Sequence, residues 1–205
     1  YCFYTVEQGT LVEQNRVVYD IANDDWGLSL SGIHIDKTLS REEKYQGSFL
    51  SLHVDQVQLP NGRTSFREVV EHVDGVAILA LDDRNNVLTV TQYRYVIGKT
   101  LLEIPAGKLE PGEDPVAGAL RELKEETGAV PDTFLPMGVT LPSPGCLSER
   151  LYLFLAKGLH MESQQLDEDE FLNVERIPFN EMVHRVMDGE IEDSKTIAAV
   201  LKAKV

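Results

Sequence analysis

Two cysteines, Cys2 and Cys146, in a chain of 205 residues are too few for a disulfide framework or a cysteine-rich zinc site. No apolar run is long enough to span a bilayer, and no secretory signal is recognisable. With so little cysteine, these absences set the expectation of a cytoplasmic protein with no membrane partner. Positive charge is scarce as well: 19 Lys and Arg stand against 34 Asp and Glu, a formal net charge of −15. Such a balance argues against a nucleic-acid polymer as partner, because phosphate backbones are bound by a surplus of Lys and Arg. A small anionic substrate stays open if metal ions and a few placed arginines offset the repulsion. The single tryptophan, Trp26, stands beside the polar turn Asn23-Asp24-Asp25 and is read as a packing residue rather than a base-stacking one. No repeat or low-complexity tract is evident. The composition, 42% hydrophobic and 26% charged, is that of a globular chain with one substantial domain, or one domain with an accessory layer. Because the chain opens on Tyr1 rather than Met, an upstream piece is expected.

What is present is concentrated in Gly107 to Ala129, GKLEPGEDPVAGALRELKEETGA. Asp114-Pro115 predicts a helix start, since Asp caps free backbone N–H groups and Pro fits the first helical position. Gly128 predicts the stop. Val116, Ala119, Leu120 and Leu123 recur at helical spacing and are expected to form one apolar face, with the acids beside it. Glu122 and Glu126, four residues apart, share a face with Glu125 between them. Such a run is often a solvated acidic face, and like charges at this spacing destabilise a bare helix. It is also the oxygen-rich cluster that a hard divalent cation takes.

Along the chain, residues 1–36 read as an N-terminal extension of uncertain role, with β-type alternation at Arg16 to Ile21 and Leu28 to Ile35. Phe49 to Gln58 and Thr64 to His72 alternate around Pro60-Asn61-Gly62 and predict a β-hairpin. Gly75 to Leu81 and Val87 to Tyr93 predict a second pair with inner-strand character. Leu101 to Ile104 is a short strand running into the loop Pro105-Ala106-Gly107. Strands are further expected at Val139 to Leu141, Leu151 to Ala156 and Phe171 to Ile177, and helices at Asn180 to Met187 and Ser194 to Ala203. The sum is a mixed α/β (α+β) sandwich.

The spacing Gly107, five residues, Glu113, seven residues, then Arg121-Glu122-Leu123-Lys124-Glu125-Glu126-Thr127-Gly128 resembles the signature of the Nudix hydrolases. It departs only at Ala129, where the family usually has a larger aliphatic residue. The flanks QYRYVIGKTLLEIPAGKLEPGE and LPSPGCLSER are similar to the ADP-ribose pyrophosphatase branch, with Pro144 sixteen residues beyond Gly128. The resemblance implies an α/β/α sandwich with a mixed sheet, a Nudix domain over residues 37–205, and N-terminal antiparallel strands. It further implies a homodimer whose contact uses residues 37–74.

For the site, the resemblance implies Mg2+, with Mn2+ as an alternative, held by Glu122, Glu126 and the backbone carbonyl of Ala106. Glu125 binds a metal or holds its water in this reading. Arg121 orients the helix carboxylates, and Glu113 is its salt-bridge partner. Arg67 and Arg94 match positions where the family turns arginines to the substrate, and a guanidinium fork suits phosphate oxygens. Glu103 is expected to face the site, and Ser143, Gly145 and Ser148 to line the pocket through the Ser-Pro-Gly loop. A loop glutamate after the box, Glu168 or Glu170, is expected to take the proton of the attacking water. The implied reaction is hydrolysis of the pyrophosphate of ADP-ribose to AMP and ribose 5-phosphate. Another nucleotide sugar, a dinucleotide or an oxidised nucleotide is the first alternative. A nucleotide-binding sensor ranks below both, since all four box carboxylates are present.

Overall fold

The computed structural model describes residues 34–166 and 171–204, together with the backbone of two further strands, β1 (Phe3–Glu7) and β2 (Thr10–Gln14). The expected strand at Arg16 to Ile21, most of that at Leu28 to Ile35, and Trp26 lie outside the described residues. The chain divides into two compact units, one ending at Glu71 and one running from His72 to Lys204.

In the first unit, β1 and β2 pair antiparallel. A separate three-stranded sheet runs in the order β3 (Lys37–Gln46), β4 (Leu50–Gln58), β5 (Thr64–His72). The turn at Pro60-Asn61-Gly62 closes as its sequence predicts: Gly62 adopts φ 82°, and the Leu59 N–H donates to the Arg63 carbonyl at 2.8 Å. Strand β3 had no reading in the sequence, because KTLSREEKYQ is exposed along its whole length and carries no apolar alternation. Polar contacts hold it instead. Arg41 of β3 donates to Asp55 of β4 and to Glu71 of β5, and the buried His53 ring lies between the same two carboxylates.

The second unit is built on a seven-stranded mixed sheet. Its main path is β10 (Ala129–Thr140), β11 (Leu151–Met161), β6 (Gly75–Leu81), β7 (Asn86–Arg94), β12 (Leu172–Pro178). Strands β11 and β6 are parallel, and the other pairs are antiparallel. Every residue of β6 is buried, as a central strand covered on both faces requires. One face, Val76, Ile78 and Ala80, packs with Ala119 and Leu123 of α1 (Pro115–Thr127). Strand residues point alternately to opposite faces, so Ala77, Leu79 and Leu81 belong to the other side. There α3 (Ser194–Lys204), which packs on β6 and β11, and α2 (Phe179–Met187), which packs on α3, complete the sandwich.

Two expectations need correction. The pair β6–β7 touches only near its turn, at Ala80–Leu88 and Leu81–Val87. Beyond that the strands splay, β7 taking β8 (Lys99–Glu103) and β6 taking β9 (Ala106–Lys108) as partners. The expected loop Pro105-Ala106-Gly107 therefore includes the start of a short strand, held in place by ladder bonds to Gly75–Ala77. Secondly, the strand expected at Val139 to Leu141 begins ten residues earlier, at Ala129, and runs directly from the α1 stop. Its two prolines, Pro131 and Pro136, mask it in sequence; they are tolerated because β10 is an edge strand, with a register shift between Pro136 and Gly138. Among the described residues, no helix is long and apolar enough to cross a membrane.

Candidate active site

Helix α1 begins where its cap chemistry places it: the Asp114 side chain accepts from the Val116 and Ala117 N–H groups at 3.0 and 3.1 Å. It ends at Gly128, whose φ of 72° is the left-handed stop. The face it buries differs from the apolar stripe expected. Val116 and Leu120 are exposed at the rim, whereas Gly118, Ala119, Glu122, Leu123, Glu126 and Thr127 turn inward. Two metal-type carboxylates thus share the buried face, with Glu126 only 1% exposed. Burying charge is costly unless it is paired, and the helix rests on backbone and cations that satisfy it.

One such support is β9. The Ala106 N–H donates to Glu126 Oε2 at 2.9 Å. The next residue, Gly107, has no side chain, and a Cβ there would fall 2.0 Å from the Glu122 carboxyl carbon. Glycine is needed so that the carboxylate can lie directly on the strand backbone.

The other support is Arg121. Its Nε and Nη2 donate to the two oxygens of Glu113, both at 2.9 Å, in a bidentate fork. Its Nη1 donates to Glu122 Oε1 and Glu125 Oε2 at 2.9 Å each, and Nη2 also reaches the Lys108 carbonyl at 3.1 Å. One guanidinium therefore organises three of the four box carboxylates. The Arg121 hydrogen bonds, joined by a bond from the Glu110 N–H, hold the Glu113 carboxyl down at about 2. The same pairing raises the Arg121 guanidinium further above its ordinary value.

Arg94, at the end of β7, forms a second fork. Its Nε and Nη2 donate to Glu103 Oε1 and Oε2 at 2.7 and 2.6 Å. The hydrogen bond to Glu103 raises the Arg94 guanidinium, and the field of Glu126 adds to it. Glu103, 1% exposed, is pushed up by burial, but Arg94 and Lys195 together outweigh that and hold it below its ordinary range. Glu103 is thus a buried counter-charge gripping Arg94.

The remaining expected residues are less assembled. Arg67, on β5 in the first unit, donates to Asp36 Oδ2 at 2.5 Å and to the Phe66 carbonyl at 3.0 Å. Ser143 and Gly145 are exposed in the turn that the Cys146 and Leu147 N–H groups close onto the Ser143 carbonyl. Ser148 Oγ accepts from the His72 N–H at 3.0 Å. Glu168 and Glu170 lie outside the described residues.

Two participants escaped sequence reasoning. Lys195 is buried at the start of α3 and pairs with Glu103; a lone lysine in a helix offers no sequence signal. Glu149, beyond the Ser-Pro-Gly turn, lies 3.7 Å from His72 Nδ1, and burial pushes its carboxyl up.

Among the described residues, no group of three His, Cys, Asp or Glu side chains forms a ready metal centre. What the geometry offers is an all-oxygen donor set: the inward carboxylates Glu122 and Glu126 on adjacent helical turns, beside the backbone of Ala106 and Gly107. Oxygen donors of this kind fit a hard divalent cation, which keeps part of its water shell.

Comparison with known proteins identifies the family. Residues 71–200 match the NUDIX domain family, and residues 37–70 match the nucleoside diphosphate sugar hydrolase N-terminal domain. The chain belongs to the Nudix family and is a hydrolase of that class, whose members depend on divalent metals. It is 42% identical to a methanol dehydrogenase activator of Bacillus methanolicus and 40% identical to an ADP-ribose pyrophosphatase of Bacillus subtilis. Each match covers 80% of this chain and 90% of the relative. A solved structure titled an ADP compounds hydrolase superposes with a TM-score of 0.74, covering 82% of this chain and 92% of that one. At 22% identity it bears on the fold alone.

Proposed function

We propose that this hydrolase cleaves the pyrophosphate of ADP-ribose, or of a closely related nucleoside diphosphate sugar, with Mg2+ as the metal and Mn2+ as its substitute. The observation that carries the reading is the paired inward placement of Glu122 and Glu126 against Ala106 and Gly107. Those carboxylates and the Ala106 carbonyl would hold the metal, with Glu125 as a further ligand. Bound there, a divalent cation supplies neutralising charge to the diphosphate and to the leaving oxygen. Arg121 keeps Glu122 and Glu125 oriented. Arg94, held by Glu103, presents its guanidinium to phosphate oxygens, and Ser143 and Gly145 line the pocket. Glu168 or Glu170 takes the proton from the attacking water, and AMP and ribose 5-phosphate leave.

In this reading, residues 37–205 form the Nudix domain, residues 1–36 an extension, and residues 37–74 the contact of a homodimer. A monomeric mass by light scattering would refute the dimer. The 42% identity to a methanol dehydrogenase activator supports a second reading, in which the same hydrolase acts in company with a dehydrogenase.

The test is a substrate panel of ADP-ribose, GDP-mannose, UDP-glucose, NADH and 8-oxo-dGTP, each with Mg2+ and with chelator. Metal-dependent cleavage strongest on ADP-ribose is expected. A different preferred substrate keeps the chemistry and overturns the substrate; binding without cleavage across the panel overturns the enzyme reading in favour of a sensor.

A further inference from the structure

The first turn of α3 is tied to the end of β8 by a set of buried polar contacts. Lys195 Nζ donates to Glu103 Oε2 at 2.5 Å and to Asp193 Oδ1 at 2.8 Å. Lys195 is 9% exposed and Glu103 1%. Beside them, the Thr196 hydroxyl donates to Asp193 Oδ2 at 2.5 Å and accepts from the Ile104 N–H at 2.9 Å. Asp193 also accepts from the Thr196 N–H at 3.0 Å, which caps the helix. The helix thus grips two consecutive residues, Glu103 by charge and Ile104 by its backbone, immediately before Pro105-Ala106-Gly107.

A hydrophobic helix–sheet contact would hold α3 in place without a charged group. Burying an ammonium is expensive and breaks roughly even against an apolar isostere at best, so stability alone gives weak reason for it. What Lys195 does is share the Glu103 carboxylate with Arg94. That carboxylate has both oxygens engaged by the Arg94 fork, and Oε2 is shared between Arg94 and Lys195. With Lys195 present, Glu103 divides its charge between two cations and is fixed from behind. Without Lys195, Asp193 and Glu103 lose the cation that bridges them, and Arg94 is left as the sole partner of a buried carboxylate. The fork would then follow Glu103 wherever it relaxes, with more of the Arg94 charge taken up by the carboxylate and less left for a phosphate.

We propose that Lys195 is a positioning residue for the phosphate-binding arginine: through Glu103 it sets the orientation and the available charge of Arg94. The inference rests on the reading of Arg94 as the group that faces the substrate diphosphate.

The test combines kinetics with a direct view of the guanidinium. Lys195→Met removes the charge and keeps the length; Lys195→Arg restores a cation at the same place. Lys195→Met is expected to raise KM for the preferred panel substrate about tenfold with kcat changed less than about threefold, the signature of lost uniform binding. Lys195→Arg is expected to recover most of that loss. In the Arg94→Ala background the Lys195→Met effect on KM is expected to vanish, because its route of action is gone. Independently of turnover, the Arg94 Nε–H resonance, assigned through Arg94→Lys, is expected to shift in Lys195→Met.

An equal KM effect with and without Arg94, or an unmoved Arg94 resonance, overturns the proposal. If Lys195→Met does not fold, Lys195→Gln, which keeps a neutral donor, is put through the same cycle and judged by the same outcomes. The resonance readout needs no substrate, so a chain inactive on the whole panel refutes the proposed function while leaving the Lys195–Glu103–Arg94 coupling to be decided by the spectrum.

Discussion

Gly107 and Glu122 meet so closely that a single added methyl group at residue 107 would sit 2.0 Å from the carboxyl carbon and 2.2 and 2.3 Å from its oxygens. The obstacle is the far end of a flexible side chain rather than backbone. Gly107→Ala is therefore expected to keep the fold, at a stability cost of about 1–3 kcal/mol, while displacing the Glu122 carboxylate. A misplacement of about 1 Å at a reacting centre costs on the order of 10²-fold in rate. The check is kcat beside a thermal melt; a fully active variant, or one that fails to fold, contradicts this account.

Glu126→Gln keeps an oxygen that can accept from the Ala106 N–H but removes the charge. Loss of outer-shell partners of a metal already costs 10–100-fold, so losing a direct ligand, the role proposed for Glu126, is expected to lower kcat by at least about 10²-fold. The melting temperature should change little. Retained turnover at saturating Mg2+ would sink the assignment of Glu126 as a metal ligand.

Glu113 titrates at about 2 in the folded chain against an ordinary value of 4.5, because Arg121 and the Glu110 N–H bind its charged form. A depressed folded-state value means that the unfolded chain takes up the proton first. The stabilisation is therefore complete above 4.5 and is lost as pH falls from there towards 2. Glu113→Gln cannot take up that proton, so its melting temperature should fall less steeply than wild type across this window. Parallel slopes for the two proteins would show that the fork does not act on the protonation of Glu113.

Arg94→Lys preserves one positive charge and discards the planar fork to Glu103. A lysine is a point charge on a flexible stem, so the substitution is not conservative at a bidentate site. KM is expected to rise by roughly tenfold with kcat less affected, read from initial rates over a range of substrate concentrations. A kcat loss at constant KM would instead place Arg94 in the transition state alone.

Much of the local structure of the candidate site is legible in the sequence, because its determinants are local. Asp114 and Pro115 start α1, and Gly128 stops it, through groups within four residues of each other in the chain. The spacing of Glu113, Arg121, Glu122, Glu125 and Glu126 is likewise a local pattern, and so is the turn at Asn61-Gly62. Other features depend on residues far apart in sequence, which no periodicity encodes. The apolar stripe of α1 suggested that Val116 and Leu120 would be buried and the acids left at the side. The helix is instead rotated so that Glu122 and Glu126 face β9, because the Ala106 N–H and the bare Gly107 backbone can receive them. Strand β9 is a strand only because Gly75–Ala77 lie alongside it, and β10 can begin at Ala129 because β11 supplies its ladder. Lys195 meets Glu103 from 92 residues away. Helix caps, turns and motif spacing are set by near neighbours, whereas the burial of a charge is decided by whichever distant backbone or counter-ion the fold brings to it.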